Sequence, residues 1–318
     1  MLVLRDGFPV ADARRPSAVT VGVFDGLHRG HRSVIDQLSR LAVGVGAHVT
    51  VVTFDPQPAV VLNPSRAPQL IATVSQRLEG LVDLGVEQVR LLTFDEKLAR
   101  ESARDFVDRV LVRELGTRCV VVGNDFRFGH DREGTVALLR EMGESRGFAV
   151  VPAPLYGESQ RWSSTSVRAA LERGDVTGAS SELGRPFTLR AMVVAGDHRG
   201  ATLGYPTANL VVEDRQQLPA QGVYAGASEV DGQWWAAAIS VGTRPQFYDR
   251  GALLVEVYLV DFRGDLYDTS LDVAFLARLR DQGTFGDETE LVSQIGRDVE
   301  STRRIFAASA LAGGQLLG

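Results

Sequence analysis

The stretch Val21-Gly22-Val23-Phe24-Asp25-Gly26-Leu27-His28-Arg29-Gly30-His31 decides the fold of the first half of the chain. It joins a β-branched run over residues 18–23 to a pattern of helical periodicity from about residue 30 to residue 45. A turn between a strand and a helix directs backbone N–H groups, and the positive end of the helix dipole, at a bound anion. The stretch therefore predicts a phosphate-binding turn at the carboxyl end of a parallel strand.

The same alternation of strand and helix continues through the first half. The predicted strands cover residues 47–54, 88–93, 119–122 and 149–152, and the predicted helices cover residues 75–84, 103–115 and 136–145. Continuous apolar runs such as Cys119-Val120-Val121-Val122 are typical of parallel strands that helices cover on both faces. We therefore expect an N-terminal Rossmann-like domain with a doubly wound parallel sheet and ligands at the carboxyl ends of its strands.

The pattern changes near Gly184, after which strands follow one another without a helix until about Asp287. The predicted strands cover residues 187–194, 222–230, 234–241, 253–259 and 270–279. A helical stretch over residues 288–310 follows, with one apolar face. We expect a C-terminal antiparallel β-barrel with a terminal helix, a polar helical connection over residues 168–185, and domains at residues 1–183 and 184–318.

The composition excludes several classes of protein. A length of 318 residues predicts two domains, and 40 acidic against 34 basic residues give a net charge of −6, which argues against a nucleic-acid partner. Cys119 is the single cysteine, so neither an intrachain disulfide nor a Cys-rich zinc site can form. No apolar run approaches about 18 residues and no signal pattern opens the chain, which predicts a cytoplasmic protein without a membrane partner.

Lysine usage narrows the possible nucleotide sites. Lys97 is the only lysine, so a Gly-x-x-x-x-Gly-Lys phosphate loop cannot be formed. Any nucleotide must be bound in another way.

The two histidines of the opening stretch are the first candidate catalytic pair. His28 and His31 are three residues apart, which places both imidazoles on one side of the first helical turn and within reach of one phosphate. Alternatives are a capped helix with two exposed histidines, or an incomplete zinc set with Asp25. The surrounding glycines, which permit close backbone approach, favour the phosphate interpretation.

Two further motifs in the first half carry polar groups. Trp162-Ser163-Ser164-Thr165-Ser166-Val167-Arg168 opens the polar helix, where the hydroxyls are either ordinary caps or, with the Arg168 guanidinium, phosphate ligands. Val122-Gly123-Asn124-Asp125-Phe126-Arg127-Phe128-Gly129 follows a strand, and it is either a turn with core aromatics or a ligand loop.

The second half contains a Gly-rich loop and an acidic residue within an apolar strand. The loop over residues 196–209 ends in Pro206-Thr207-Ala208-Asn209. Glu256 lies in Leu254-Val255-Glu256-Val257-Tyr258-Leu259, where it is either an outward-facing residue of an alternating strand or a base next to a hydroxyl nucleophile.

In this order and spacing, the motifs resemble the bacterial bifunctional riboflavin kinase/FAD synthetase family over nearly the whole chain. The resemblance implies a nucleotidyltransferase domain that transfers AMP from ATP to FMN and releases pyrophosphate, without a covalent enzyme intermediate. It also implies a riboflavin kinase domain that phosphorylates riboflavin to FMN. The implied substrates are ATP, riboflavin and FMN, and the implied cofactor is Mg2+.

The resemblance also assigns site residues. In the first domain His28 and His31 would stabilise charge on the ATP phosphates, Ser164, Thr165 and Arg168 would hold the pyrophosphate, and the nucleotide would contact Gly22, Phe24, Asp25, Gly26, Gly30, Asn124 and Asp125. In the kinase, Thr207 and Asn209 would bind magnesium and Glu256 would be the base, while ATP would contact Gly196, Gly200, Gly204 and Pro206. Arg278, Arg280 and Phe285 would lie near the flavin, although a solvated basic face also explains the arginines.

The chain departs from the family pattern at several positions, which leaves two alternative functions open. Gln57 replaces a common His, Arg244 and Gln246 replace a common Asn and Thr, and Ala191 and Ala195 stand where Gly and Arg are frequent. One alternative is a specialised paralogue that has lost one activity or acts on a modified flavin. The other is a non-catalytic flavin-binding protein on the same scaffold. The oligomeric state is not predicted.

Overall fold

The structure is a computed structural model that describes residues 1–7, 16–153, 162–196, 199–243 and 253–313. The chain forms two compact units, one of residues 1–68 and 74–162 and the other of residues 69–73 and 163–318.

The first unit contains one six-stranded sheet in which all described pairs are parallel. Its strands are β1 (Leu2–Leu4), β2 (Ser17–Val21), β3 (His48–Asp55), β4 (Gln88–Thr93), β5 (Thr117–Val122) and β6 (Ala149–Pro152). Their order is β1-β4-β3-β2-β5-β6. From the central β2 the chain proceeds to β3 and β4 on one side and then crosses to β5 and β6 on the other. The switch point between β2 and β5 is where such sheets bind ligands.

Helices connect these strands. They are α1 (Arg29–Val45), α2 (Pro58–Leu62), α3 (Val74–Asp83), α4 (Glu96–Ala99), α5 (Ala103–Phe106) and α6 (Val136–Arg146). The single helix predicted over residues 103–115 is α5 followed by a π-helical segment, Val107–Glu114. The strand β1 and the one- or two-turn helices α2 and α4 were not predicted, because three to five residues are too few to show a period.

Both faces of this sheet are buried, as the apolar runs predicted. In β2, Val19 and Val21 belong to one hydrophobic cluster and Ala18 belongs to another. In β5, Val120 belongs to the first of these clusters and Cys119 belongs to the second. The period of two therefore places alternate residues in two cores, one under each layer of helices.

The second unit is a closed antiparallel barrel with flanking helices. Its strands are β7 (Phe187–Val194), β8 (Ala208–Val211), β9 (Gly222–Val230), β10 (Gln233–Thr243), β11 (Leu253–Leu259) and β12 (Ser270–Arg280), in the order β10-β11-β8-β7-β12-β9. The helices are α7 (Ser164–Glu172), α8 (Val176–Leu183), α9 (Arg199–Thr202) and α10 (Glu288–Ala307). These elements confirm the predicted fold class, and the short strand β8 and the one-turn helix α9 are additions to the predicted run of strands.

The apolar faces of α7 and α8 pack on the barrel. Val167, Leu171, Val176 and Leu183 are fully buried in the same cluster as the barrel residues Leu189 and Phe275. Residues 69–73 join this unit as well, because Leu70 pairs with Gln216. The compact units thus divide between residues 162 and 163, which groups α7 and α8 with the barrel, and the domain boundary between residues 183 and 184 stays a prediction.

Candidate functional sites

The loop after β2 brings His28 and His31 together. Their rings stack with centroids 3.7 Å apart and an interplanar angle of 24°, and the Phe24 ring lies 5.0 Å from that of His31. Gly30 permits this packing, since a Cβ there would lie 3.1 Å from His28 Cε1. His28 occupies the N-cap position of α1, and its side chain makes no capping hydrogen bond. The first turn can therefore direct its N–H groups at an anion beside both imidazoles.

His28 is buried, His31 is half-buried, and the charge of Arg77 acts on the pair. His28 is 6% exposed. Burial holds the pKa of His31 well below its ordinary value of 6.5, and the neighbouring His28 and the charge of Arg77 lower the pKa further. A neutral imidazole next to a helix N-terminus is suited to donate an N–H to an entering phosphate. The exposed-histidine alternative is therefore wrong for this pair, and the described part of the chain holds no group of three or more His, Cys, Asp or Glu side chains placed to bind a metal ion.

Phe24, Asp25 and Gly26 form the buried part of the loop that precedes the histidines. Phe24 has φ 55° and Gly26 has φ 78°, and all three residues are buried. Gly22 lies against the Phe24 ring, since a Cβ there would be 3.1 Å from Phe24 Cε2. Glycine is needed at these close approaches because a side chain would displace the ring.

The loop after β5 lies beside this one, at the carboxyl end of the neighbouring strand. Asn124 and Asp125 are exposed there. Phe128 is buried in the core, and Phe126 stacks on it with centroids 5.4 Å apart. The aromatics are thus core residues, and the polar pair lies on the exposed side of the loop.

The hydroxyl motif at α7 belongs to the second unit. Ser163, not Ser164 or Thr165, caps the helix, and it forms a reciprocal capping box with Ser166. Thr165 is exposed. Arg168 Nε donates to the Gln69 carbonyl oxygen at 2.6 Å. The capping interpretation therefore applies to the flanking serines and leaves Ser164 and Thr165 outside the cap.

The positions that depart from the family pattern differ in their burial, and two of them lie outside the described residues. Gln57 is buried at the start of α2, where its side chain does not cap the helix. Ala191 is buried in the barrel core and Ala195 is exposed. Arg244 and Gln246 lie outside the described residues, as do Asp197 and His198 of the Gly-rich loop.

The second unit contains a cavity of about 540 Å3 on the outer face of the barrel. Val255 and Val257 of β11 point into the barrel core, so Glu256 between them points outward, as alternation predicts. Leu291 and Ile295 of α10 also line this cavity. Glu256 thus faces outward, and the outer face is here the wall of the cavity, while its role as a base stays a prediction.

Three adjacent strands present polar side chains to this cavity in register. Glu256 lies opposite Asn209 of β8 on one side and opposite Ser240 of β10 on the other. All three residues line the cavity together with Thr207, which lies two residues before Asn209. Antiparallel ladders place directly opposed side chains on one face, so the hydroxyls, carboxamide and carboxylate form one polar patch.

This patch fits a magnesium ion that arrives with a nucleotide. Asn209 is buried against Gly196, where a Cβ would lie 2.1 Å from Asn209 Nδ2. Thr207 and Asn209 offer neutral oxygens, a set too small to hold Mg2+ alone but suited to complete a shell made of phosphate oxygens and water. Gly200 also lines the cavity. Gly196 lies against Asn209. Gly204 has φ 84° and forms the turn before Tyr205.

Two of the three predicted flavin residues line the large cavity, and the third does not. Arg280 and Phe285 line the cavity, with the guanidinium 5.6 Å from the centre of the Phe285 ring. Arg280 also forms an ion pair with Asp298 of α10, its Nη2 lying 2.8 Å from Oδ2. Arg278 is not among the cavity-lining residues, because its Nη1 donates to the Arg173 carbonyl and its Nη2 to the Gln221 carbonyl, each at 2.9 Å. The geometry therefore gives Arg278 a structural role.

A second, smaller cavity of about 130 Å3 shares Thr207 with the first. Its walls are largely apolar and include Pro206, Val257, Phe262 and Tyr267. Thr207 thus lies between a large cavity that contains Glu256 and a small apolar one that does not.

Several site residues escaped the sequence analysis. Ser240, Gln282 and Asp298 line the large cavity, and Arg77 lies behind the histidine loop. For Arg77 a signal existed, since it lies at the spacing of Val74, Leu78 and Leu81 on the apolar face of α3. Ser240, Gln282 and Asp298 have no comparable signal in the local sequence, because only the tertiary structure brings them to the cavity.

Comparison with known proteins agrees with this division into two sites. A family model described as FAD synthetase matches residues 10–166, and one described as riboflavin kinase matches residues 183–306. A bifunctional riboflavin kinase/FMN adenylyltransferase of Pseudomonas fluorescens is 39% identical over 297 residues, covering 93% of this chain and 95% of that protein. The protein of the same name from Escherichia coli K12 is 36% identical, covering 91% and 92%.

The chain belongs to the bifunctional riboflavin kinase/FMN adenylyltransferase family. Membership confirms the predicted family and enzyme class, with a FAD synthetase half followed by a riboflavin kinase half. None of the reported matches supports the paralogue or the non-catalytic alternative.

A solved structure extends the comparison to the fold. It covers 95% of this chain and 99% of its own, with 34% identity and a TM-score of 0.83, and its title names a macrolide-efflux protein from Streptococcus pneumoniae. The macrolide-efflux description applies to the Streptococcus pneumoniae protein. In the described part of the present chain, no helix has the length and apolar character needed to span a bilayer. The cytoplasmic location and the lack of a nucleic-acid partner stay predictions.

Proposed function

We propose that the second unit phosphorylates riboflavin to FMN and that the first adenylylates FMN to FAD, at the two sites described above. The observation that carries the proposal is the register of Glu256, Asn209 and Ser240 on one cavity wall in one unit, and the stacked His28–His31 pair at a helix N-terminus in the other. Family membership supports both activities.

In the kinase, Glu256 is the base. Its carboxylate takes the proton of the ribityl 5′-hydroxyl as that oxygen bonds to the γ-phosphorus of ATP and the bond to the β,γ-bridging oxygen breaks, which releases ADP. Thr207 and Asn209 would hold Mg2+, which neutralises charge on the phosphates when bound. Arg280 and Phe285 hold the flavin end of the large cavity.

The two cavities of the second unit separate the substrates. The large cavity takes riboflavin, because it contains Glu256 and is closed by apolar residues of α10. The small cavity takes the adenine of ATP, because its apolar walls suit a purine ring and it meets the large one at Thr207. The triphosphate then lies along Thr207 and Asn209.

In the adenylyltransferase, an oxygen of the FMN phosphate bonds to the α-phosphorus of ATP while the bond to pyrophosphate breaks. No proton need be removed, so the protein acts by positioning and by electrostatics. His28, His31 and the first-turn N–H groups of α1 donate to the phosphate oxygens as negative charge increases on them. Asn124 and Asp125 contact the nucleotide.

One pair of variants tests both assignments. Glu256→Gln should lower FMN formation from riboflavin by about 10² to 10⁴-fold and leave FAD formation from supplied FMN unchanged. His28→Ala should do the opposite. Products are resolved by chromatography after incubation of the full chain with flavin, ATP and magnesium, with and without a chelator.

The outcomes separate the possibilities. Loss of both activities in either folded variant contradicts two independent sites. Failure of the wild-type chain to form FMN from riboflavin contradicts the proposed kinase, and failure to form FAD from FMN contradicts the proposed adenylyltransferase.

A further inference from the structure

Arg77 is a buried arginine on the apolar face of α3, 3% exposed. Its Nη1 donates to the Val23 carbonyl oxygen at 2.8 Å and its Nη2 donates to the Phe54 carbonyl oxygen at 2.9 Å. Its Nε has no hydrogen-bond partner among the described residues. A guanidinium is costly to bury, so its two carbonyl contacts indicate a specific task at this place.

Those contacts tie the start of a strained loop to the end of β3. Val23 begins the loop that carries the histidines, and its carbonyl also accepts from Thr53 Oγ1 at 3.1 Å. In that loop Phe24 has φ 55° and Leu27 has φ 47°. Bulky residues rarely adopt these left-handed angles, and they keep them only where the surroundings hold the backbone.

A second contact from α3 supports the same loop. Gly80 lies three residues after Arg77, and therefore on the same side of α3. A Cβ at Gly80 would lie 2.5 Å from Leu27 Cδ1, so the absence of a side chain admits the buried Leu27. The helix thus holds the loop at Val23 through Arg77 and at Leu27 through Gly80.

The charge of Arg77 acts on the histidine pair. Arg77 and His28 are the charged or titratable groups that lower the pKa of His31, beside the larger effect of burial. Asp25 of the loop and Asp55 at the end of β3 face Arg77 and keep it cationic against its own burial. Arg77 therefore favours a neutral His31 before the nucleotide enters.

We propose that Arg77 is a positioning residue of adenylyl transfer: tied to the carbonyls of Val23 and Phe54, its guanidinium sets the loop so that His28 and His31 meet the nucleotide phosphates. This inference rests on the proposed function of the first unit. Arg77 touches neither substrate nor reacting atoms and acts only through the loop and the histidines.

The test compares Arg77→Met with Arg77→Lys in the full chain. In Arg77→Met we expect kcat for FAD formation from FMN to fall about 10- to 100-fold, because a small displacement of the histidines removes their contacts in the transition state. The KM for ATP should change far less than kcat. FMN formation from riboflavin in the same chain should be unchanged.

A pH profile separates positioning from a general loss of structure. The inflection in kcat/KM that reports His31 should lie well below pH 6.5 in the wild type and move upward in Arg77→Met, since a cation near the imidazole is lost. Arg77→Lys keeps the charge without the rigid fork, so it should keep the wild-type inflection and recover only part of kcat.

Arg90→Met is the matched control. Arg90 is also a buried arginine of the first unit, 5% exposed, but its partners are Asp6, Glu114 and the carbonyls of Leu4 and Leu91. It should lower stability without moving the inflection. Gly80→Ala, which favours the helix but presses on Leu27, should lower kcat of the adenylyltransferase alone.

The results are read against the wild type. If the wild-type chain forms FAD from FMN and folded Arg77→Met does so at the same rate with the same inflection, the inference is overturned. An equal shift in Arg90→Met overturns it as well. If Arg77→Met does not fold, as judged by amide exchange in β5, Arg77→Lys and Gly80→Ala decide: normal rates in both contradict the proposal. A wild type without FAD formation contradicts the proposed function instead.

Discussion

At the scale of single residues, both sites depend on polar side chains that the fold removes from water. His31 is held neutral against its ordinary pKa, and Asn209 is packed against a glycine. Each arrangement has a free-energy consequence that is measurable apart from catalysis.

We expect His31 to make the first unit sensitive to mild acid. Its pKa is lower in the folded state than in the unfolded chain, so as the pH falls through about 6.5 the unfolded chain takes up a proton that the folded state does not. The free energy of unfolding should then decrease by at most about 1.4 kcal/mol per pH unit until the folded pKa is reached. Amide exchange in β2 and β5 between pH 7 and pH 5 measures it.

His31→Gln should flatten that dependence. His48→Gln is the control, because His48 is 28% exposed at its side chain and pairs with Glu87 at the surface. A dependence as steep in His31→Gln as in the wild type would contradict the assignment.

Gly196→Ala tests the support of Asn209. The new Cβ would overlap Asn209 Nδ2, so the carboxamide must move out of register with Glu256. We expect kinase kcat to fall about tenfold or more and FAD formation from FMN to stay unchanged. Gly313→Ala, where a Cβ would meet nothing within 4 Å, is the matched control. Equal kinase rates in both variants would show that Asn209 is not positioned by Gly196.

At the scale of elements, α10 completes the large cavity, and two ion pairs fasten it to the barrel. Arg280 pairs with Asp298, whose Oδ1 also accepts from Gln294 Nε2 at 2.8 Å. Arg303 of α10 pairs with Asp261 at the surface. The first pair is largely buried and belongs to the cavity wall, and the second is exposed.

Asp298→Asn should therefore lower the free energy of unfolding more than Asp261→Asn does. Removing the buried carboxylate leaves Arg280 without its charged partner and should lower the free energy of unfolding by about 1–3 kcal/mol, with a higher KM for riboflavin. Asp261→Asn should change stability far less, because solvent screens this exposed pair, and it should leave KM unaltered. Denaturant unfolding and kinase kinetics measure both, and an equal effect of the two substitutions would mean that burial does not decide the worth of these pairs.

Elements of the barrel also show where alternation fails as a guide. Arg278 and Arg280 are two residues apart on β12, which predicts one face for both. The pairing of β12 with β9 shifts register between them, and only Arg280 reaches the cavity. An irregularity of this kind depends on the neighbouring strand and leaves no mark in the local sequence.

At the scale of the whole molecule, the two activities are carried by different units of one chain. A mixture of Glu256→Gln and His28→Ala chains should form FAD from riboflavin after a lag, although neither variant does so alone. FMN made by the His28→Ala chain would be released and then adenylylated by the Glu256→Gln chain. If the mixture forms no FAD while each variant keeps its remaining activity, FMN is not exchanged between chains.

The sequence by itself determined the two fold classes, the limits of most predicted strands to within two residues and the strand–turn–helix context of the histidine loop, because each depends on a local period or a short motif. The roles of Thr207, Asn209 and Glu256 rest on the family resemblance and stay predictions. Tertiary structure alone decided which arginine faces the cavity, the pairing of Arg280 with Asp298, and the place of Arg77 beside a carbonyl 54 residues away in sequence. The physical reason is that local periodicity fixes which face of an element is buried, whereas the partner met there is set by how strands register and helices pack.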